Sequence, residues 1–133
     1  MSHLSSIIAR PDLGGKVRPI IELTKNGNLL CYETNSGRWF RSAKDKVEDV
    51  LDLLETAGQN GNKKIALNDL FSAIDISQSL SKNDYGWRLT RLPEGEKLFK
   101  TKYYQNGFQD HDEPVLCIYT TIPVMKDYDR KEI

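Results

Sequence analysis

The residues of this 133-residue chain with the most latent chemistry are its histidines and cysteines, two of each. His111 stands in Asp110-His111-Asp112-Glu113, the densest group of potential metal ligands. Metal sites draw their ligands from several segments at defined spacing. Adjacent residues do not all face one ion, so we read this run as a solvated acidic loop before a strand. His3 lies near a terminus and suggests no site. Cys31 and Cys117 sit in apolar alternating runs, where a thiol behaves as a small hydrophobe. A nucleophile needs a base held beside it, and no signature pairs either thiol with His111. Both cysteines read as strand residues in a reducing cytosol, where a disulfide between them is not expected.

Two further patterns touch on phosphate chemistry. A metal-dependent nuclease needs an acidic residue followed by a carboxylate-x-lysine on a nearby strand. Asp12 with Glu94, Glu96 and Lys97 matches this only loosely, and Pro93-Glu94-Gly95-Glu96 reads better as a turn. Gly14-Gly15-Lys16 is half of a phosphate loop with no helix after it to present amides, so it reads as a bend. The chain is therefore expected to have no catalytic residues, no bound metal and no cofactor, and not to be an enzyme.

Aromatic and basic residues interleave more suggestively. Trp87, Phe99, Tyr103, Tyr104 and Tyr119 alternate with Arg88, Arg91, Lys97, Lys100 and Lys102 over the last third of the chain. Such a sheet face can stack bases. The plainer reading puts the aromatics in the core and the cations in water. Asp84, Tyr85 and Trp87 form another group, readable as an exposed knob or as a buried anchor. Trp87 follows Gly86 at the start of a strand, which favours burial. The candidate interaction residues are Asp84, Tyr85, Trp87, Arg88, Lys100 and Lys102.

These residues must be positioned by a small set of elements. Residues 20–34 read as a β-hairpin turning at Asn26-Gly27, with Asn35-Ser36-Gly37 a second turn and Arg38-Trp39-Phe40 a short return strand. Residues 43–57 are the clearest helix. Ala43, Val47, Val50, Leu51, Leu54 and Ala57 share one face, Ser42 suits the N-cap, and Gly58 is placed to end it. Residues 68–75 suggest a short second helix, with Leu67, Leu70, Phe71 and Ile74 on one face. Strands are expected at 87–92, 97–104 and 115–124, the last of them central. The core residues expected are Val47, Val50, Leu51, Leu54, Phe71, Ile74, Leu116 and Ile118.

The chain holds 19 basic and 19 acidic residues. A neutral chain builds no broad positive field, which disfavours nucleic acid and anionic lipid as partners. No apolar run approaches the ~20 residues that span a bilayer, and Met1 to Arg10 does not read as a secretory signal. A cytoplasmic setting, with no membrane partner, is expected.

Leu67-Asn68-Asp69-Leu70-Phe71, Asp84-Tyr85-Gly86-Trp87 and Asp112-Glu113-Pro114-Val115-Leu116-Cys117-Ile118-Tyr119, followed by Pro123, form an ordered set. In these pieces residues 66–123 resemble a poorly characterised domain of proteins from phages and mobile elements of Gram-positive bacteria. The resemblance covers a little under half the chain and leaves residues 1–65 unexplained. It implies a setting, in virion-associated or accessory proteins of a host cell, and no reaction. The fold expected is α+β: an antiparallel sheet of about five strands packed on the helix 43–57, with the helix 68–75 closing one end. Residues 1–133 read as a single domain with an irregular arm, 1–19, and a charged tail, 125–133. The function expected is a non-enzymatic interaction protein with a protein partner, itself or a host protein. The alternative is a nucleic-acid-binding regulator using Arg88, Lys100 and Lys102 beside Tyr103 or Tyr104.

Overall fold

The computed structural model describes residues 7–8 and 20–130. The rest of the arm, with His3, Asp12 and Gly14-Gly15-Lys16, lies outside the described residues, as do the last three residues of the tail. The elements are β1 (Ile7–Ile8), β2 (Ile21–Leu23), β3 (Leu29–Glu33), β4 (Arg38–Ser42), α1 (Lys44–Asn60), β5 (Lys64–Ala66), α2 (Leu67–Ala73), β6 (Tyr85–Arg88), β7 (Phe99–Tyr104), β8 (Val115–Thr120) and β9 (Met125–Lys126). The architecture is α+β. A six-stranded sheet has the order β1-β2-β4-β3-β8-β7, and a second sheet has the order β5-β6-β9.

The larger sheet is mixed. Neighbours pair antiparallel except β2 with β4 and β3 with β8, which run parallel. The expected hairpin over 20–34 is therefore corrected, because β4 lies between its two arms. The link 24–28 rounds the end of β4 instead of turning tightly. Thr24 donates its hydroxyl to the Arg41 carbonyl at 2.6 Å. Gly27 passes so close to β4 that an added Cβ would lie 2.6 Å from the Ser42 carbonyl oxygen. Glycine is needed here for close approach, not for a type I′ turn. The tight hairpin is the next one, β3 to β4. There the buried Glu33 carboxylate accepts the amides of Asn35 and Ser36 at 3.0 and 2.9 Å, and Gly37 takes a φ of 71°.

The main core lies between this sheet and the helices. Cys31, Phe40, Leu116 and Ile118 meet Val47 and Leu51 of α1, Leu70 and Phe71 of α2, and Ile65 and Trp87 of the smaller sheet. Of the expected core residues, Val50 and Leu54 are half-buried against this cluster and the others are buried. Ala57, expected on the same face, is exposed. A second cluster occupies the opposite face of the sheet: Leu30, Trp39, Val115 and Cys117, with Tyr32, Tyr104, Phe108 and Tyr119 packed on it.

The helix ends differ from expectation. Ala43, not Ser42, is the N-cap of α1 and gives no side-chain cap bond; Ser42 belongs to β4 and is buried. The helix runs through Gly58 to Asn60. Gly58 is there for packing, since a Cβ would lie 2.8 Å from Ile65 Cγ1. In α2 the Asp69 carboxylate accepts the Ala66 amide at 3.2 Å. Asn68 is not a cap. Its amide group ties α2 to the following loop, donating to the Ser79 carbonyl and to Asn83 Oδ1, both at 2.9 Å.

The expected strand 87–92 is replaced by β6 and a 3-10 turn at Leu89–Arg91. The charged tail, over its described part, docks on the smaller sheet. Met125 pairs with Gly86 and Lys126 with Tyr85. Arg88 clamps the residues after β9, donating to the carbonyls of Tyr128 at 2.5 Å and Arg130 at 2.6 Å. Gly86 allows this docking: a Cβ would stand 2.4 Å from the Ile65 carbonyl oxygen and 2.9 Å from the Tyr128 ring.

Candidate functional site

β7 ends the strand order of the larger sheet, and among the described residues only β8 pairs with it. Flanking hydrogen bonds show which of its backbone groups face outward. The Thr34 amide donates to the Ile118 carbonyl at 3.1 Å. Ile118 thus turns its backbone groups toward β3, and its neighbours Cys117 and Tyr119 turn theirs toward β7. The Thr121 amide donates to the Leu98 carbonyl at 2.8 Å, in the same register. Lys100, Lys102 and Tyr104 therefore exchange ladder bonds with β8, and Phe99, Thr101 and Tyr103 point their amides and carbonyls outward.

One outward amide is already taken. The buried carboxylate of Glu55 accepts Phe99 N–H at 3.0 Å and Leu98 N–H at 2.5 Å. Thr101 and Tyr103 present theirs to an edge that no second strand among the described residues pairs. Such a row of backbone groups is a template for pairing with another chain.

Carboxylates outnumber cations on one side of this edge and two lysines stand on the other. On the acidic side Lys44 lies 3.1 Å from Glu48 and Lys97 4.0 Å from Asp52, in exposed ion pairs that hold these groups weakly. On the helix side, a groove of about 310 Å³ runs between α1 and β7, lined by Glu48, Asp49 and Asp52 on the helix and by Phe99 and Thr101 on the strand. The Thr101 hydroxyl donates to Glu48 Oε2 at 3.3 Å. Past Asp52 a further groove of about 420 Å³ follows α1 to Gln59. On the other side Lys100 and Lys102 are exposed. Lys100 Nζ lies 3.3 Å from Glu96, and Lys102 Nζ sits 5.0 Å from the centre of the Tyr104 ring. Both contacts are solvent-exposed and hold the cations weakly.

The structure does not gather the other candidates with these lysines. Trp87 is fully buried and stacks edge-on to Phe99, so Asp84, Tyr85 and Trp87 form no exposed knob. Arg88 is 8% exposed and is committed to the tail carbonyls. It lies in the smaller sheet, so the surface needed for nucleic acid, Arg88 with Lys100 and Lys102, is not assembled. Tyr103 and the two lysines lie on opposite faces of β7. Tyr104 shares their face, but its ring packs on Phe108 at 4.8 Å and its hydroxyl meets that of Tyr119 at 3.1 Å. The Asp84 carbonyl accepts the Asp127 amide at 2.7 Å. Tyr85 lines a separate groove of about 290 Å³ with Arg38 and Phe71. The Arg38 guanidinium is occupied there by Glu22 and Ser77 and lies over the Phe71 ring.

The thiols point to opposite faces of the sheet. Cys31 is level with Leu116 and Cys117 with Tyr32 on the paired strands, and both cysteines are free. Burial pushes the Cys31 thiol up to about 12 and also raises Cys117, so neither is a thiolate at neutral pH. The His111 ring lies 4.5 Å from that of Trp39. Its neighbour Glu113 pairs with Arg41, whose hydrogen bond holds the carboxyl below its ordinary range. Among the described residues, no group of three or more His, Cys, Asp or Glu side chains is arranged to hold a metal ion. No helix among them is long and apolar enough to cross a membrane.

Reasoning from sequence found Lys100 and Lys102 but missed Glu48, Asp49, Asp52 and Glu55. Their spacing along α1 was a signal in plain view, an acidic stripe at the helical period. That this stripe borders an open strand depends on strand order, which no local pattern encodes. The chain matches no family model, no curated protein and no solved structure.

Proposed function

We propose that this chain is a non-enzymatic protein-interaction protein that engages its partner along β7. The observation that carries this reading is an edge that, among the described residues, only β8 pairs, with the amides and carbonyls of Thr101 and Tyr103 turned outward. Natural proteins close edge strands by shortening, bulging or covering them, or by placing charges, lysine above all, along them. β7 is six residues long and bends around no bulge in its pairing with β8. Lys100 and Lys102 discourage indiscriminate pairing and leave a specific partner able to dock. The resemblance of residues 66–123 supports a phage or mobile-element origin. In that setting the roles are a part of a virion or other assembly, or an inhibitor or adaptor of a host protein.

The test uses tagged protein as bait on bacterial lysate, in parallel with Tyr103→Pro. The Tyr103 amide points away from β8, so proline removes a docking group and leaves the internal ladder intact. A partner held by the wild type and lost by a folded Tyr103→Pro supports the reading. The same partners on both baits, or none on either, sinks it. Light scattering on the isolated protein separates the two roles: an assembly component forms defined oligomers, and an inhibitor or adaptor stays small.

A further inference from the structure

We infer that the β7 edge takes up an extended segment of a partner protein whose side chains alternate in charge, basic toward α1 and acidic toward Lys100 and Lys102. The inference rests on the interaction reading above and adds the chemistry of the occupant. A strand added at β7 lies about 4.8 Å from it and sends alternate side chains to the two faces. Those on the helix side run along Glu48, Asp49 and Asp52 in the groove of about 310 Å³. Those on the other side stand beside Lys100 and Lys102, both exposed. Main-chain bonds to Thr101 and Tyr103 provide the attachment, and the two charged rows choose the sequence.

A second copy of this chain is the obvious competitor, and the charges act against it. Antiparallel β7–β7 pairing that engages the outward groups of Thr101 within the strand sets residue 101 opposite 101, 99 or 103. These registers place Lys100 opposite Lys102, Lys100 opposite Lys100, and Lys102 opposite Lys102, respectively. Like charges directly opposite destabilise a strand pair. A two-fold axis normal to the sheet would also bring the acidic flanks of both α1 helices to the same side of the junction. A segment with an acidic face and a basic face meets no such conflict.

The experiment titrates full-length protein against labelled twelve-residue peptides at low salt. One peptide alternates lysine and glutamate; its isomer has the order Lys-Lys-Glu-Glu repeated, with the same composition and net charge but mixed faces. The alternating peptide is expected to bind about tenfold more tightly, equivalent to about 1.4 kcal/mol. Its binding is expected to weaken as salt rises, since the Debye length falls to about 8 Å at physiological ionic strength. Tyr103→Pro, checked for an unchanged melting temperature, is expected to weaken it by about tenfold or more. The double variant Lys100→Glu, Lys102→Glu makes both faces acidic and is expected to prefer an all-lysine peptide. Should Tyr103→Pro fail to fold, this exposed double variant carries the test alone. Equal binding of the two isomers overturns the charge pattern. Equal binding of wild type and folded Tyr103→Pro overturns the docking edge. A wild-type dimer that Tyr103→Pro dissociates overturns the inference in favour of a second copy. If Tyr103→Pro loses the lysate partner but the isomers bind alike, the interaction reading stands and only the occupant is wrong.

Discussion

Trp87 is the largest fully buried side chain, and no acceptor among the described residues meets its indole Nε1. Its worth is therefore packing, against Phe99 and the main core. Trp87→Ala should cost roughly 3–5 kcal/mol in urea denaturation. Trp87→Phe loses volume but also removes a buried donor, and should cost less than about 1.5 kcal/mol. A Trp87→Ala variant that melts like wild type would refute the packing role. Cys31 supports a second prediction at this scale. Burial raises its thiol to about 12 in the folded chain, above the ordinary value of 9.0. The unfolded chain therefore gives up this proton first as pH rises. The resulting stability is full below pH 9.0 and is lost between there and about pH 12. Cys31→Ala should lower stability at pH 8 and flatten this alkaline decline, measured as the urea midpoint against pH. Equal slopes for the variant and the wild type would show that another group sets the decline.

A buried carboxylate of helix α1 holds the start of strand β7. Glu55, 7% exposed, accepts the amides of Leu98 and Phe99. Neither amide has a ladder partner at that point, so Glu55 closes the start of the edge as well as fixing the helix to it. Glu55→Ala leaves two buried donors unmet and should cost roughly 2–4 kcal/mol. Glu55→Gln keeps one acceptor oxygen and should cost about half as much. Amide hydrogen exchange offers a check, since Leu98 and Phe99 should lose protection in Glu55→Ala before the rest of β7 does. Uniform loss across β7 would mean that Glu55 contributes to global stability alone. Much at this level was legible from local patterns. The apolar period of 43–57 located α1, and Pro93 to Glu96 turns as expected, with the Glu96 amide on the Pro93 carbonyl at 3.1 Å. The helix ends were not legible. Ser42 is an excellent cap by type, yet it is drawn into β4, and Gly58 stays helical because Ile65 needs its missing Cβ.

The two clusters of the whole molecule share β3, β4 and β8, whose side chains alternate between them. Neither cluster can dissolve without disturbing strands that hold the other. The two tryptophans stand one in each: Trp87 in the main core and Trp39 on the opposite face. Trp39→Phe and Trp87→Phe each leave a single reporter. In both variants the fluorescence transition should coincide with the far-ultraviolet dichroism transition in urea. Separate midpoints would show that the two faces unfold as independent units. The amino-acid sequence by itself determined the α+β class, the main helix, the burial of Leu116 and Ile118, and the exposure of Lys100 and Lys102. These features arise from hydrophobic period and side-chain type, which act over a few residues. Strand order was decided only by the tertiary structure. An Asn-Gly between two β-prone runs favours a hairpin locally, but inserting β4 between those runs gives all three strands neighbours and buries Phe40 completely. The same long-range choice buried Arg88 beneath the tail and left β7 at the edge. Backbone groups point outward only relative to a neighbouring strand, and which strand that is depends on residues distant in sequence.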